Sequence, residues 1–260
     1  MPSTSGAMIS RAFGPWAATT EQWAVIAVQG PKAREIIAPL VEGIDLSNEA
    51  FPHMSVAEGR ICGVPTRLFR MSFTGELGFE VNVPADYGQA VWEALWAEGQ
   101  KHGAAAYGTE AMHVLRAEKG YIIVGQDTDG TLTPDDAGLS WAVSKKKPDF
   151  VGIRGLKRPD LVKDGRKQLV GLLTKDPKVV LEEGAQIVAD PNQPKPMTML
   201  GHVTSSYWSA NCGRSIALAM VAGGRERLGQ TLYVPMTDRT IAVEVSDMVF
   251  FDKEGGRLHG

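Results

Sequence analysis

The stretch Ser72-Phe-Thr-Gly-Glu-Leu-Gly-Phe-Glu80 holds the densest local chemistry of the chain. It lies at the end of a region with three β-type runs, at 59–62, 66–71 and 78–83, which are separated by turns that contain Gly or Pro. Runs of this length joined by short turns predict an antiparallel meander. The stretch is therefore expected to lead into the third strand of this meander.

Two carboxylates of this stretch, Glu76 and Glu80, stand four residues apart. If the backbone is extended throughout, both would face the side of the strand opposite to Phe73. A carboxylate beside aromatic rings can accept two parallel N–H donors from the amino-pyrimidine edge of a pterin. A plain hairpin with two solvated glutamates explains the same residues, and spacing alone favours that simpler reading.

The flanking sequence predicts strands followed by helices. A β-branched run at 21–28 precedes a helical pattern at 31–41, and a stronger helical pattern covers 86–101, with Gly103 just beyond its end. A shorter helix is expected at 109–118. This order predicts an α+β domain with an antiparallel sheet that is covered on one side.

After Pro159 the sequence changes character, because short alternating runs divided by Gly and Pro continue from Gln168 to the end. Such runs predict an all-β barrel or sandwich module. We expect an atypical or disordered start at 1–18, an α+β region at 19–160 and a β-barrel domain at 168–260. The basic stretch 158–167 is the candidate linker.

Composition excludes several classes of partner. The 260 residues carry a net charge of −3 with both signs interspersed, so neither nucleic acid nor a membrane surface is expected to bind. No apolar run is long enough to span a bilayer. The two cysteines, Cys62 and Cys212, lie in unrelated contexts, which argues against a disulfide framework and favours a reducing, cytoplasmic compartment.

Self-contained catalytic signatures are absent, and the catalytic residues stay unknown. The five histidines show no metal-ligand spacing, so no metal site is expected. In a second polar cluster Arg116 could pair with Glu118 within the fold, or it could hold a ligand carboxylate. A structural role within the fold is the favoured interpretation, and the acidic residues at 127–136 are interpreted as turn chemistry.

Six ordered motifs over about residues 20–260 resemble those of the glycine-cleavage T-protein (aminomethyltransferase) family. They are Gln29-Gly-Pro-Lys-Ala-Arg34; Ser72 to Glu80; Leu115-Arg-Ala-Glu-Lys-Gly120 with Gly125-Gln-Asp127; Thr133-Pro-Asp-Asp-Ala-Gly-Leu-Ser-Trp141; Asp149-Phe-Val-Gly-Ile-Arg154; and Gly201-His-Val-Thr-Ser-Ser206 with Gly213-Arg-Ser-Ile-Ala-Leu-Ala219. Two segments resemble the branch formed by alpha subunits of heterotetrameric sarcosine oxidase. They are the sequence at 107–120 and the tail Phe250-Phe-Asp-Lys-Glu-Gly-Gly-Arg257.

The resemblance implies a partial T-protein-like folate-binding fold. In it the Glu80 carboxylate would recognise the pterin, and the folate pocket would include Phe73, Met112, Tyr121 and Trp141. Two positions depart from the family: Phe73 replaces a tyrosine, and Met112 replaces an arginine near the folate of T-protein. Both departures count against transfer of an aminomethyl group from a lipoyl carrier.

The resemblance also implies a function. The chain would bind tetrahydrofolate and capture the one-carbon unit of sarcosine demethylation as 5,10-methylenetetrahydrofolate, with flavin and NAD held by other regions or by partner subunits. The first part of the family's folate module, with its catalytic aspartate, has no counterpart, so a truncated chain that self-associates is expected. The alternatives are a non-catalytic folate-binding or subunit-assembly module and a glycine-cleavage aminomethyltransferase.

Overall fold

The computed structural model describes residues 8–12 and 22–260. Most of the atypical start expected at 1–18 lies outside the described residues. The described chain forms two compact units. Unit 1 comprises the residues up to Leu115 together with Glu254–Gly260, and unit 2 comprises Arg116–Lys253. The domain boundaries expected from the sequence stay a prediction.

Unit 1 contains a seven-stranded sheet in the order β3-β4-β5-β6-β2-β1-β7. Its strands are β1 (Met8–Ala12), β2 (Trp23–Gln29), β3 (Val41–Glu42), β4 (Val56–Ile61), β5 (Val64–Phe69), β6 (Gly78–Pro84) and β7 (Ala105–Ala106). All neighbours are antiparallel except β1 and β7. The predicted meander is confirmed as β4-β5-β6.

The helices of unit 1 follow the predicted positions. They are α1 (Ala33–Ile37), α2 (Gly88–Lys101) and α3 (Thr109–Glu118), which continues to the first residues of unit 2. Gly103 and Gly120 adopt positive φ just after α2 and α3, where a helix commonly ends. Alternate residues of β6, such as Phe79 and Val81, are fully buried in one core cluster with residues of α1 and α2. One face of the sheet is therefore covered.

Unit 2 contains a six-stranded antiparallel sheet in the order β12-β13-β8-β11-β10-β9. Its strands are β8 (Lys167–Thr174), β9 (Gln186–Ile187), β10 (Gly201–Ser209), β11 (Arg214–Ala222), β12 (Thr231–Pro235) and β13 (Thr240–Ser246). The edges β9 and β12 meet through Val188 and Tyr233, whose amides donate to each other's carbonyls at 2.9 and 3.0 Å. The sheet is therefore barrel-like.

Two short helices, α4 (Ile153–Leu156) and α5 (Pro159–Val162), precede this sheet, and α6 (Gly256–His259) returns the chain to unit 1. The candidate linker at 158–167 contains α5. Its Arg166 bonds the Asp136 carboxylate at 2.6 Å and the Asp160 carbonyl at 2.7 Å, which anchors the segment within unit 2.

Among the described residues, no helix combines the length and the apolar character needed to cross a bilayer. The 14-residue α2 is the longest of them, and it carries charged residues on its exposed side.

Candidate functional site

Glu80 lies in β6, one of the inner strands of the unit 1 sheet. It pairs with Ala27 of β2 on one side and with Phe69 of β5 on the other. Phe79 and Val81, its neighbours in sequence, are buried in the core, so Glu80 faces the opposite side of the sheet. Its side chain is half-buried there.

The Glu80 carboxylate is partly removed from water, and no described group replaces the hydrogen bonds that it loses. Burial raises its pKa above the usual value of 4.5, and no other group contributes to the shift. Within the part of the chain that the structure describes, nothing donates a hydrogen bond or a salt bridge to the carboxylate. A carboxylate in this state gains free energy when donors reach it, which is the property of a ligand-binding acceptor.

The residues before β6 form the turn expected between the second and third β-type runs, so the alternative of a backbone extended throughout does not hold. Residues 73–77 form bends, with Gly75 at φ +78°, and the strand begins only at Gly78. The Gln29 side chain accepts hydrogen bonds from Ser72 and Thr74 at 2.9 and 3.1 Å. A Cβ atom on Gly78 would lie 2.3 Å from the Gln29 amide oxygen, so a glycine is required there.

Glu76 corrects the interpretation of the stretch as a hairpin with two solvated glutamates. The residue is only 5% exposed, and its carboxylate lies 2.8 Å from Nε of Arg257. Of the two carboxylates, one is therefore paired inside the protein, whereas Glu80 is half-buried and has no partner among the described residues. The stretch places two glutamates in different electrostatic states.

The other residues expected at the pocket divide between the two units. Phe73, in the bend, and Met112, in α3, are half-buried in unit 1. Tyr121 and Trp141 belong to unit 2. The pocket roles of all four, and of Glu80, stay predictions. Sequence reasoning missed Phe69, an aromatic residue directly opposite Glu80, which the register of the β5-β6 hairpin would have identified.

The backbone of Tyr121 is hydrogen-bonded to Arg116 within unit 2. Its N–H donates to the Arg116 carbonyl at 2.9 Å, and its carbonyl accepts from Nη1 of Arg116 at 3.0 Å. Burial, with a smaller contribution from Asp252, raises the pKa of the Tyr121 phenol. Trp141 differs, because its side chain lies in a single 3-10 turn and is 80% exposed.

Arg116 has the favoured structural role, but its partner is not Glu118. The guanidinium is fully buried and bonds the Asp127 carboxylate at 2.5 Å and the Ser205 hydroxyl at 2.7 Å. Asp127 also accepts from the Thr204 hydroxyl at 2.6 Å. Asp127 is thus a buried ion-pair partner and not only a turn residue. Nη1 and Nη2 of Arg116 are thus engaged within unit 2, whereas its buried Nε has no hydrogen-bond partner among the described residues.

Glu118 has separate partners. Its two carboxylate oxygens accept from the Ser209 hydroxyl at 2.5 Å and from the Asn211 amide at 2.7 Å. Its backbone carbonyl accepts from the N–H groups of Phe250 and Phe251. The residue therefore ties the end of α3 to the segment that follows β13.

Metal-ligating side chains do not cluster in the described ranges 8–12 and 22–260, where no group of three or more His, Cys, Asp or Glu residues could hold an ion. Cys62 and Cys212 are free thiols. Burial raises the pKa of both thiols, so they are protonated at neutral pH.

Two family descriptions match the chain in succession. The GCVT N-terminal domain matches residues 15–147, and the glycine cleavage T-protein C-terminal barrel domain matches residues 167–252. The chain belongs to the glycine-cleavage T-protein family. The resemblance inferred from the ordered motifs is confirmed, and so are the T-protein-like fold and its barrel-like second part.

Curated relatives of this T-protein family chain come from two branches. It is 49% identical over 244 residues to sarcosine oxidase subunit alpha of Corynebacterium sp. (strain P-1), covering 93% of this chain and 25% of that protein. It is 33% identical over 247 residues to the aminomethyltransferase of Burkholderia ambifaria (strain MC40-6), covering 92% and 61%. The chain thus spans about a quarter of the length of the first relative.

A solved structure supports the same T-protein fold. The glycine cleavage system aminomethyltransferase T from Bartonella henselae matches with a TM-score of 0.73 at 25% identity, over 89% of this chain and 60% of that one.

Proposed function

We propose that this chain is the tetrahydrofolate-binding part of a sarcosine oxidase alpha subunit, with Glu80 as the acceptor for the pterin. The observation that supports the proposal is the half-buried carboxylate of Glu80, whose pKa burial raises and to which no described group donates. A folded protein keeps such a carboxylate at a cost in stability, and ligand donors would offset that cost.

The chemistry of a pterin suits this acceptor. Its amino-pyrimidine edge presents two parallel N–H donors, and an ionised carboxylate offers two oxygens that accept both in one plane. Phe69 lies directly across from Glu80 in the sheet, and an aromatic side chain at that position can pack against the ring system. The residues present therefore fit the ligand.

The 49% identical relative named sarcosine oxidase subunit alpha supports the choice of reaction. Tetrahydrofolate supplies the nitrogen nucleophiles that capture the one-carbon unit from sarcosine, and the product is 5,10-methylenetetrahydrofolate. This chain's residues orient the folate and exclude water from it. The oxidising flavin and any NAD are held by other regions or by the other subunits, which are the proposed protein partners in the cytoplasm.

Calorimetric titration with tetrahydrofolate tests the proposal. We expect saturable binding by the wild-type chain and a Kd raised by about 10- to 100-fold in Glu80→Gln, because one charge-assisted acceptor is replaced by an amide that also donates. Glu58→Gln is the matched control, since Glu58 lies two strands away in β4 and its side chain is 76% exposed. Absence of binding by the folded wild-type chain, or equal loss in both variants, contradicts the proposal.

A further inference from the structure

We propose that the tail of the chain, Glu254–Gly260, is a positioning element that holds the stretch Ser72 to Glu80 so that Glu80 meets its ligand. Arg257 is the positioning residue. The inference rests on the proposed function, since the ligand is the same folate. It also accounts for the tail motif ending at Arg257, which the ligand site itself does not use. Both the tail and the stretch belong to unit 1.

The first contact is an ion pair over a long sequence separation. Nε of Arg257 lies 2.8 and 2.9 Å from the two carboxylate oxygens of Glu76, which stands 181 residues earlier. Glu76 is 5% exposed. A buried carboxylate that loses its cation must regain contact with water or take up a proton. Water reaches Glu76 only if the bends at 73–77 open, because the residue is so little exposed. Arg257 therefore fixes the conformation of these bends.

The second contact runs through Arg70, at the end of β5. Its guanidinium, in a residue that is 1% exposed, donates to the carbonyls of Leu258 and His259 at 3.3 and 3.0 Å. The same group stacks over the Phe79 ring, 5.2 Å from its centroid. Arg70 thus joins the last carbonyls of α6 to the residue that immediately precedes Glu80.

The third contact is apolar. Leu258 is 8% exposed, and the α-carbon region of Gly260 lies against Leu77, where an added Cβ would approach the leucine side chain to 3.2 Å. The Leu77 carbonyl in turn accepts from the Gly30 N–H at 2.8 Å. Leu77 is therefore held through its backbone by the residue that follows β2 and through its side chain by the tail.

These contacts surround Glu80 without engaging its carboxylate. Glu76, Leu77 and Phe79 each touch the tail or Arg70, and Glu80 follows directly on the same rigid strand. Shifts of about 1 Å in a binding group reduce the strength of its interactions strongly, so a loosened stretch would weaken the acceptor even with Glu80 present. Arg257 acts on the ligand through this geometry and not through its own charge.

The test compares Arg257→Ala in two backgrounds, the wild-type chain and Glu80→Gln, by titration with tetrahydrofolate. We expect Arg257→Ala to raise the Kd about tenfold in the wild-type background, within the range of couplings between sites, and to have no further effect in the Glu80→Gln background. Arg257→Lys, which keeps a cation, should recover most of the affinity. Lys253→Ala is the control, because it removes a cation from the preceding part of the sequence whose side chain is 58% exposed and lies 3.8 Å from Asp247.

A second measurement is independent of ligand. Hydrogen exchange of the amides at 73–78 should speed up at least tenfold in Arg257→Ala and stay unchanged in Lys253→Ala. Unchanged exchange overturns the inference, and so does an affinity loss that is equal in both backgrounds. If the wild-type chain binds no folate, the proposed function fails, and so does the role of the tail in positioning Glu80 for folate. The exchange measurement still decides whether Arg257 holds the stretch.

Discussion

Two acidic residues of this protein, one in a loop and one in a strand, have opposite environments. In unit 2, Asp127 is 1% exposed and accepts from Arg116, Thr204 and Ser205. In unit 1, Glu80 is half-buried and receives no donor from any described residue. A carboxylate that is fully bonded within the fold stabilises the fold. One that is desolvated and left open lowers stability and is available to a ligand.

The comparison makes its largest prediction for the pair in unit 2. Replacing Asp127 by Ala leaves the fully buried guanidinium of Arg116 without its counter-charge. Removal of one partner of a buried ion pair typically costs about 3–5 kcal/mol of unfolding free energy. Urea denaturation of the variant and the wild-type chain measures this loss.

The double variant Arg116→Met/Asp127→Leu sharpens the same prediction. Because no unpaired charge remains in it, its loss should be clearly smaller than the sum of the two single losses. Strict additivity would show that the pair is not coupled, and a loss below about 1 kcal/mol in Asp127→Ala would remove the contrast with Glu80.

The second prediction concerns Glu80 itself and has the opposite sign. Since burial raises the pKa of Glu80 in the folded chain above 4.5, its ionised form is disfavoured by folding. Glu80→Gln should therefore raise the unfolding free energy at pH 7 by about 0.5–2 kcal/mol, the size usual for stabilising substitutions. The gain should shrink as the pH falls through the raised pKa and vanish below 4.5, where Glu80 is protonated in both states.

Glu76→Gln is the natural counterpart, because it lies in the same stretch and pairs with Arg257. It should lower stability at pH 7. A Glu80→Gln chain that is less stable than the wild type at pH 7 would mean that the carboxylate has partners after all and would favour a structural role.

The sequence predicted local features well and distant contacts poorly. The positions of α2 and α3 followed from periodicity and from the glycines that end them, and the β4-β5-β6 meander followed from its turns. The pairing of Arg116 was wrong because a partner within the same helix turn was assumed, whereas Asp127 lies on the next loop. The turn before β6 followed from its glycine, and the bends at 73–77 agree with it. What failed is the conditional placement of Glu76 and Glu80 on one face, because it required an extended backbone throughout. The contact between Glu76 and Arg257 spans most of the chain, and no local pattern reports it.

The smallest effect is predicted for an acidic residue that lies outside both environments. Glu58 of β4 bonds Nε of Arg67 at 3.0 Å, but the two side chains are 76% and 54% exposed. Water and salt screen such a pair, and holding two long side chains in one geometry costs entropy, so Glu58→Gln should change the unfolding free energy by less than about 1 kcal/mol. Any change should shrink further in 1 M salt. A loss of unfolding free energy as large as that in Asp127→Ala would show that the distance between the charges, and not their burial, decides what an ion pair contributes here. The contrast between Asp127 and Glu80 would then lose its physical basis.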